Sequence, residues 1–219
     1  PVLADERFSL IAGFNEDEIT AYCPNSYFFT SVFAIWGWAS WRRVFDKRDE
    51  QYAFLDDAYT MRELKSFAKS RKLRSDLIRM MQDHRASGKQ YFESLFWSAM
   101  LLSSGMAIMP AKNLINNLGL SDESTHFSGS MKTTPKAYRR IFMMKRHELE
   151  FPLKHPRYIL EDVEYKERLY KINCWGHPWI KIGRSLEELF LNLRYGNFSI
   201  ILKAIRKRLG KWMGTEKHV

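Results

Sequence analysis

Three short apolar runs set the strongest limit on how this chain folds. Arg7 to Asn15 (RFSLIAGFN) turns at Gly13, Tyr27 to Ile35 (YFFTSVFAI) is aromatic and β-branched, and Met106 to Met109 (MAIM) stops at Pro110. Apolar runs of this length, bounded by turn residues, read as buried strands. Between the second and third, residues 58 to 87 hold neither Gly nor Pro. Met61, Leu64, Phe67, Leu73, Leu77, Met80 and Met81 recur there at helical spacing, which predicts two helices covering a surface. Tyr91 to Leu102 predicts a third, strongly apolar and therefore buried, with Gly105 as its stop. Strands and helices are both expected, with helix the more abundant.

Other segments are assigned more coarsely. From Trp38 the pattern turns helical through Trp41 and Phe45, closing at Asp46. Asn113 to Gly119 runs into a polar loop, and 127 to 157, with Gly129, Pro135, Pro152 and Pro156, reads as an irregular wrap. Tyr158 to Tyr170 predicts a charged helix, Asn173 to Gly183 a turn-rich linker, and Leu186 to Leu193 the start of a helical tail. The expected division is therefore 1–172 and 173–219. Hydrophobic residues at 45% and aromatics at 15% supply a sizeable core and exclude global disorder. No run approaches the ~18 apolar residues of a membrane span, and no signal peptide pattern opens the chain. Two cysteines, Cys23 and Cys174, form neither a disulfide framework nor a metal-ligand spacing, which fits a reducing, cytoplasmic setting. The opening without Met, in mid-pattern, suggests a fragment.

Half of the net charge of +10 sits in 198–219, where six Lys/Arg stand against Glu216 alone. Phe198, Ile201, Leu202, Ile205, Leu209 and Trp212 recur at helical spacing in this tail, and 198–213 contain no acid. Such a helix fits an anionic membrane surface, making the protein peripheral on the inner face of the plasma membrane, or else docks on the domain with a solvated basic face.

Three motifs carry chemistry. Ile35 to Arg43 (IWGWASWRR) holds Trp36, Trp38 and Trp41 around Gly37. Tryptophan is highly buried on average, so a core anchor is one reading; the other is a platform for a sugar ring, with Arg42 or Arg43 meeting an anionic group. In Tyr91 to Trp97 (YFESLFW), Glu93 opens an apolar helix. A carboxylate there partners the helix dipole, or sits in a desolvated aromatic pocket that raises its pKa toward a general base's range. Asn116 to His126 (NNLGLSDESTH) crowds Asn117, Gly119, Asp122, Glu123 and His126 into a loop after a strand, where ligand contacts concentrate. His126 is the metal-ligand candidate, although a lone His more often has a structural hydrogen-bonding role. Asp56-Asp57 reads as a solvated pair or a helix N-cap rather than a metal site.

In this order the elements resemble a bacterial family of nucleotide-sugar glycosyltransferases. Its members show a YFFS-like strand, IWGWATWRRAW, FWDYQW, a strand ending in ILP, and NLVSNIGFGEDATH. The matching strings here are Tyr27-Phe28-Phe29, IWGWASWRR (35–43), YFESLFW (91–97), AIMP (107–110) and NLINNLGLSDESTH (113–126), with FPLKHP (151–156) fitting the family's tail. The resemblance covers about Arg7 to Tyr170. Glu93 stands where the family has Asp, and Ser94-Leu95 where it has Tyr-Gln. The family is similar to N-acetylglucosaminyltransferase I, an inverting enzyme of GT-A fold.

The resemblance implies an α/β, helix-rich chain: the C-terminal, acceptor-side half of a GT-A domain with a helical extension. It implies transfer from a nucleotide-sugar donor to a glycan or glycolipid acceptor in surface polysaccharide synthesis. Glu93 would be the catalytic base. Trp36, Gly37, Trp38, Trp41, Arg42, Asn117, Gly119, Asp122 and Glu123 would bind substrate, and His126 a metal. A divalent ion, Mn or Mg, is expected in the complete enzyme, whose nucleotide-binding strands and Glu-Asp-Asp motif would lie upstream of Pro1. Two other classes compete: a non-catalytic carbohydrate-binding remnant, and a basic nucleic-acid module. Against the latter, no zinc-finger spacing or ribonucleoprotein aromatic motif is present, and no nucleic-acid partner is expected.

Overall fold

The computed structural model describes residues 5–65, 70–117 and 131–212. Its elements in chain order are β1 (Phe8–Ala12), β2 (Tyr27–Thr30), β3 (Trp38–Ser40), α1 (Arg42–Phe45), α2 (Ala58–Leu64), α3 (Arg71–Ser87), α4 (Phe92–Leu102), β4 (Met106–Pro110), α5 (Lys136–Arg139), α6 (Val163–Ile172), α7 (Pro178–Arg194) and α8 (Phe198–Trp212). Short 3-10 turns cover Ala53–Asp56 and Arg140–Phe142. The class is α/β. Two compact units form: Pro1–Asn116 with Met144–His177, and Asn117–Met143 with Pro178–Val219.

The first unit is built on a mixed four-stranded sheet of order β2-β4-β1-β3. β1 and β4 run parallel; β3 pairs antiparallel with β1, and β2 with β4. Strand alternation sends Leu10, Ala12, Phe28, Ala107 and Met109 to one face. There they meet Leu73, Leu77 and Met81 of α3, Leu95 and Met100 of α4, and Tyr165 and Leu169 of α6. The second face gathers Phe8, Phe29 and Ile108, with Ile11, Tyr27 and Trp41 beside them. Simple alternation would put Phe8 on the face of Leu10. A register shift between the two turns Phe8 over.

Local chemistry explains most boundaries. The Asp57 side chain accepts from the amides of Tyr59 and Thr60, so the helix-cap reading of Asp56-Asp57 holds for α2. Ser70 caps α3 through the Leu73 amide, and Gly88, at φ 64°, closes it. The two helices expected over 58–87 and the buried one after Tyr91 are thus present. β2 is shorter than 27–35, because the Ser31 amide turns to the Glu161 carboxylate at 2.8 Å instead of continuing the ladder. The helix expected from Tyr158 starts only at Val163, where Asp162 caps it by accepting from the Tyr165 amide at 2.8 Å.

Residues 173–177, read from sequence as the start of a linker, stay with the first unit. Trp175 packs on its core and the Gly176 amide donates to Asp76 at 3.0 Å. The rest of that segment is helical, because α7 begins on Pro178, whose fixed φ suits a first helical position. In the second unit, α7 and α8 are joined at 195–197. Gly196 adopts φ 72° there, and the Asn197 amide donates to the Asn192 carbonyl at 2.9 Å.

Candidate functional site

The tryptophan motif folds differently from its helical reading. Trp38 lies on β3, paired opposite Ala12, and Trp41 is the residue that leads into α1. The edge of β1 offers a ladder to these residues, and Ser40 Oγ adds a bond to the Ser9 carbonyl at 2.7 Å. Trp38 and Trp41 therefore do not share a helix face. Nor does the motif form a buried anchor, since Trp36 and Trp38 are each 36% exposed.

Gly37 is needed for the turn before β3. It adopts φ +57°, and a Cβ there would stand 2.8 Å from Ile115 Cδ1. Its carbonyl accepts from the Gly13 amide at 2.6 Å, an approach that a side chain at residue 13 would block. Trp36 sits apart from the other two, its ring edge-on to Phe14 at 4.9 Å.

Trp38, Trp41, Arg42 and Phe45 instead meet Phe96 of α4 around an open cleft of about 490 Å³, completed by Ser40 and Asp46. The Trp38 ring is 4.7 Å from Phe96, tilted by 58°. The two arginines separate clearly. Arg43 donates to the Phe8 carbonyl at 2.8 Å and lies 5.0 Å from the Trp41 ring centre, so it is a structural tie. Arg42 has a fully solvated side chain whose ion pair with Asp46, at 3.5 Å, is a surface pair of little strength. It is free to meet an anionic ligand.

Glu93 occupies the first turn of α4, as expected, and is half-buried. It precedes Phe96 by three residues and so shares its side of the helix, though it does not itself line the cleft. Of the aromatics expected around it, Trp97 points into the core and Phe92 is 43% exposed. Beside Glu93 lies a polar cluster that the sequence reading missed. Ser94 Oγ is 2.5 Å from Tyr52 Oη and 2.7 Å from His84 Nδ1. His84 also stacks on Tyr91, with centroids 4.0 Å apart. Burial pushes the His84 pKa down, against the opposing charges of Glu93 and Asp83. Burial pushes Tyr52 up; the Ser94 bond opposes this, while Glu93 and Asp49 add to it. The available signal was His84 itself, which continues the Leu77, Met81 stripe of α3 at i+7 and i+3.

Asn117 is partly buried and begins the second unit. Gly119, Asp122, Glu123 and His126 lie outside the described residues. The strand-following segment before them is anchored by Asn113. Its Nδ2 donates to the Ile115 and Lys145 carbonyls at 2.7 and 2.9 Å, and its Oδ1 accepts from the Asn15 amide at 3.2 Å. Among the described residues no three of His, Cys, Asp and Glu converge as metal ligands.

A second cleft, of about 630 Å³, opens on the other sheet face among Ile11, Tyr27, Ile108, Leu149, Leu153 and Pro156. At its rim Tyr27 Oη and His155 Nδ1 are 2.9 Å apart. No protein-family model, curated protein or solved structure matches this chain.

Proposed function

We propose that this chain is the acceptor-side part of an inverting glycosyltransferase of GT-A type. It would act in surface polysaccharide synthesis, passing a sugar from a nucleotide-sugar donor to a glycan or glycolipid acceptor. The observation that supports this reading best is the cleft in which Trp38, Trp41 and Arg42 converge on Phe96, one helical turn from Glu93. The partly exposed Trp38 and Trp41 rings suit the apolar face of a sugar, and the solvated Arg42 suits an anionic substituent. In the proposed step an acceptor hydroxyl attacks the anomeric carbon, the nucleoside diphosphate departs, and Glu93 takes the hydroxyl proton.

A second reading, non-catalytic carbohydrate binding, is favoured by one observation: Glu93 does not line the cleft. For Glu93 to act as base, the acceptor must reach about one helical pitch, ~5 Å, beyond Phe96. The experiment that separates the two pairs Trp38→Ala with Glu93→Gln. Calorimetry against a panel of oligosaccharides is run on this chain, and turnover is measured with a nucleotide-binding half supplied. The catalytic reading expects Trp38→Ala to weaken binding. It expects Glu93→Gln to bind normally but turn over about 10²–10⁴-fold more slowly. Normal turnover of Glu93→Gln removes it from the mechanism and leaves the binding reading.

A further inference from the structure

Helix α7 wears its amphipathicity outward. Trp179, Ile182, Leu186, Phe190 and Leu193 recur at the i, i+3, i+4 spacing of one helix face, and all five are exposed, Trp179 by 81% and Leu186 and Phe190 by 60% each. Polar residues take the packed side. Arg184 lies 4.7 Å over the Tyr138 ring, Glu187 accepts from the Lys136 amide at 2.8 Å, and Asn192 is buried. Scattered exposed apolar residues need no explanation, but a continuous stripe, here widened by the exposed Ile180 and Leu189, marks an interaction surface.

The next helix repeats the pattern. Phe198, Leu202 and Ile205 of α8 are also exposed, each about half or more. The sequence of α8 carries Lys203, Arg206, Lys207, Arg208 and Lys211 and no acid. Among the described residues no helix is long and apolar enough to cross a membrane.

We propose that the exposed faces of α7 and α8 seat the protein on an anionic phospholipid surface. The stripe would enter the headgroup boundary while the basic residues meet lipid phosphates. Charge decides the occupant. A second copy would bring another strongly basic tail against the first, whereas an anionic leaflet attracts both. Exposed aromatics such as Trp179 and Tyr195 suit the water–lipid boundary. The inference goes beyond sugar transfer and does not rest on it.

The test is co-sedimentation of the full chain with vesicles of phosphatidylcholine alone, or of equal parts phosphatidylcholine and phosphatidylglycerol. Binding to the anionic vesicles should be about tenfold tighter or more, and should weaken as salt rises. Leu186→Glu combined with Phe190→Glu should abolish it while circular dichroism stays unchanged, because both side chains already face solvent. Arg206→Glu should weaken it by about tenfold. Equal binding to both vesicles overturns the proposal, as does no binding by a folded chain or full binding by the double variant. So does a lipid-free dimer that the double variant dissolves while neither form binds vesicles. Saccharide binding at Trp38 should be untouched by these variants, so this proposal and the sugar-transfer reading fail separately.

Discussion

Ser94 has one proton and three neighbours: Tyr52 Oη at 2.5 Å, His84 Nδ1 at 2.7 Å and the Tyr91 carbonyl at 3.2 Å. Ser94 can donate to the Tyr91 carbonyl, either hydroxyl can donate in the Tyr52–Ser94 pair, and the His84 tautomer sets the direction of the bond at Nδ1. Ser94 is 1% exposed, so its loss strands two partners; Ser94→Ala should cost about 1–3 kcal/mol in urea unfolding. The cluster also sets a pH response. Burial holds the folded His84 pKa below its ordinary value of 6.5, so between the two values the unfolded chain binds more protons. The His84 contribution is therefore complete above pH 6.5 and declines as pH falls through 6.5 toward the folded pKa. Comparing melting temperatures between neutral and mildly acid pH should show a smaller drop for His84→Gln than for the parent chain. An equal drop assigns the loss to other groups. The sequence exposed His84's place on the α3 stripe, but Tyr52 and Ser94 are far apart in the chain and join it only through packing.

Among the elements, the turn into β3 makes the sharpest demand on residue type. Gly37 and Gly88 both adopt left-handed backbone, at +57° and +64°, but a Cβ at Gly88 meets nothing, whereas at Gly37 it strikes Ile115. Gly88→Ala should cost about 1–2 kcal/mol, the backbone cost alone. Gly37→Ala should cost more, and should also disturb Trp38 fluorescence by shifting β3. Equal losses at the two positions would mean that Ile115 simply moves aside. The same turn shows where sequence reading stops. Strands at Phe8, Tyr27 and Met106, both helices over 58–87 and the α4 helix were legible from period and punctuation. β3 was not, because WASW fits a three-residue helical repeat as well as a short edge strand, and only the free edge of β1 decides between them. The α7 start was hidden for a related reason. Gly and Pro in NCWGHPWIKIG read as a linker, yet Pro178 is a helix opener and Gly183 lies within α7.

At the scale of the molecule, the sequence motifs reached part of a site. Trp38, Trp41 and Arg42 come together from neighbouring positions, and Phe96 joins them from α4, far along the chain. Trp36 and Gly37 serve the turn and the Phe14 contact instead, and Gly119, Asp122, Glu123 and His126 lie outside the described residues. Spacing could place Glu93 at a helix start but not relate it to a cleft formed by a different segment. The chain carries no Gly-rich phosphate loop, so calorimetry with UDP or GDP plus manganese should give no micromolar binding; such binding would place the donor site within these residues. The most direct test of carbohydrate binding in the cleft is the response of the Trp38 and Trp41 indole N–H signals in two-dimensional NMR to a panel of saccharides. At least one saccharide should shift both signals saturably, and Trp38→Ala should weaken this while Trp36→Ala does not. If every saccharide leaves both signals unmoved in the folded chain, the cleft is not a carbohydrate site.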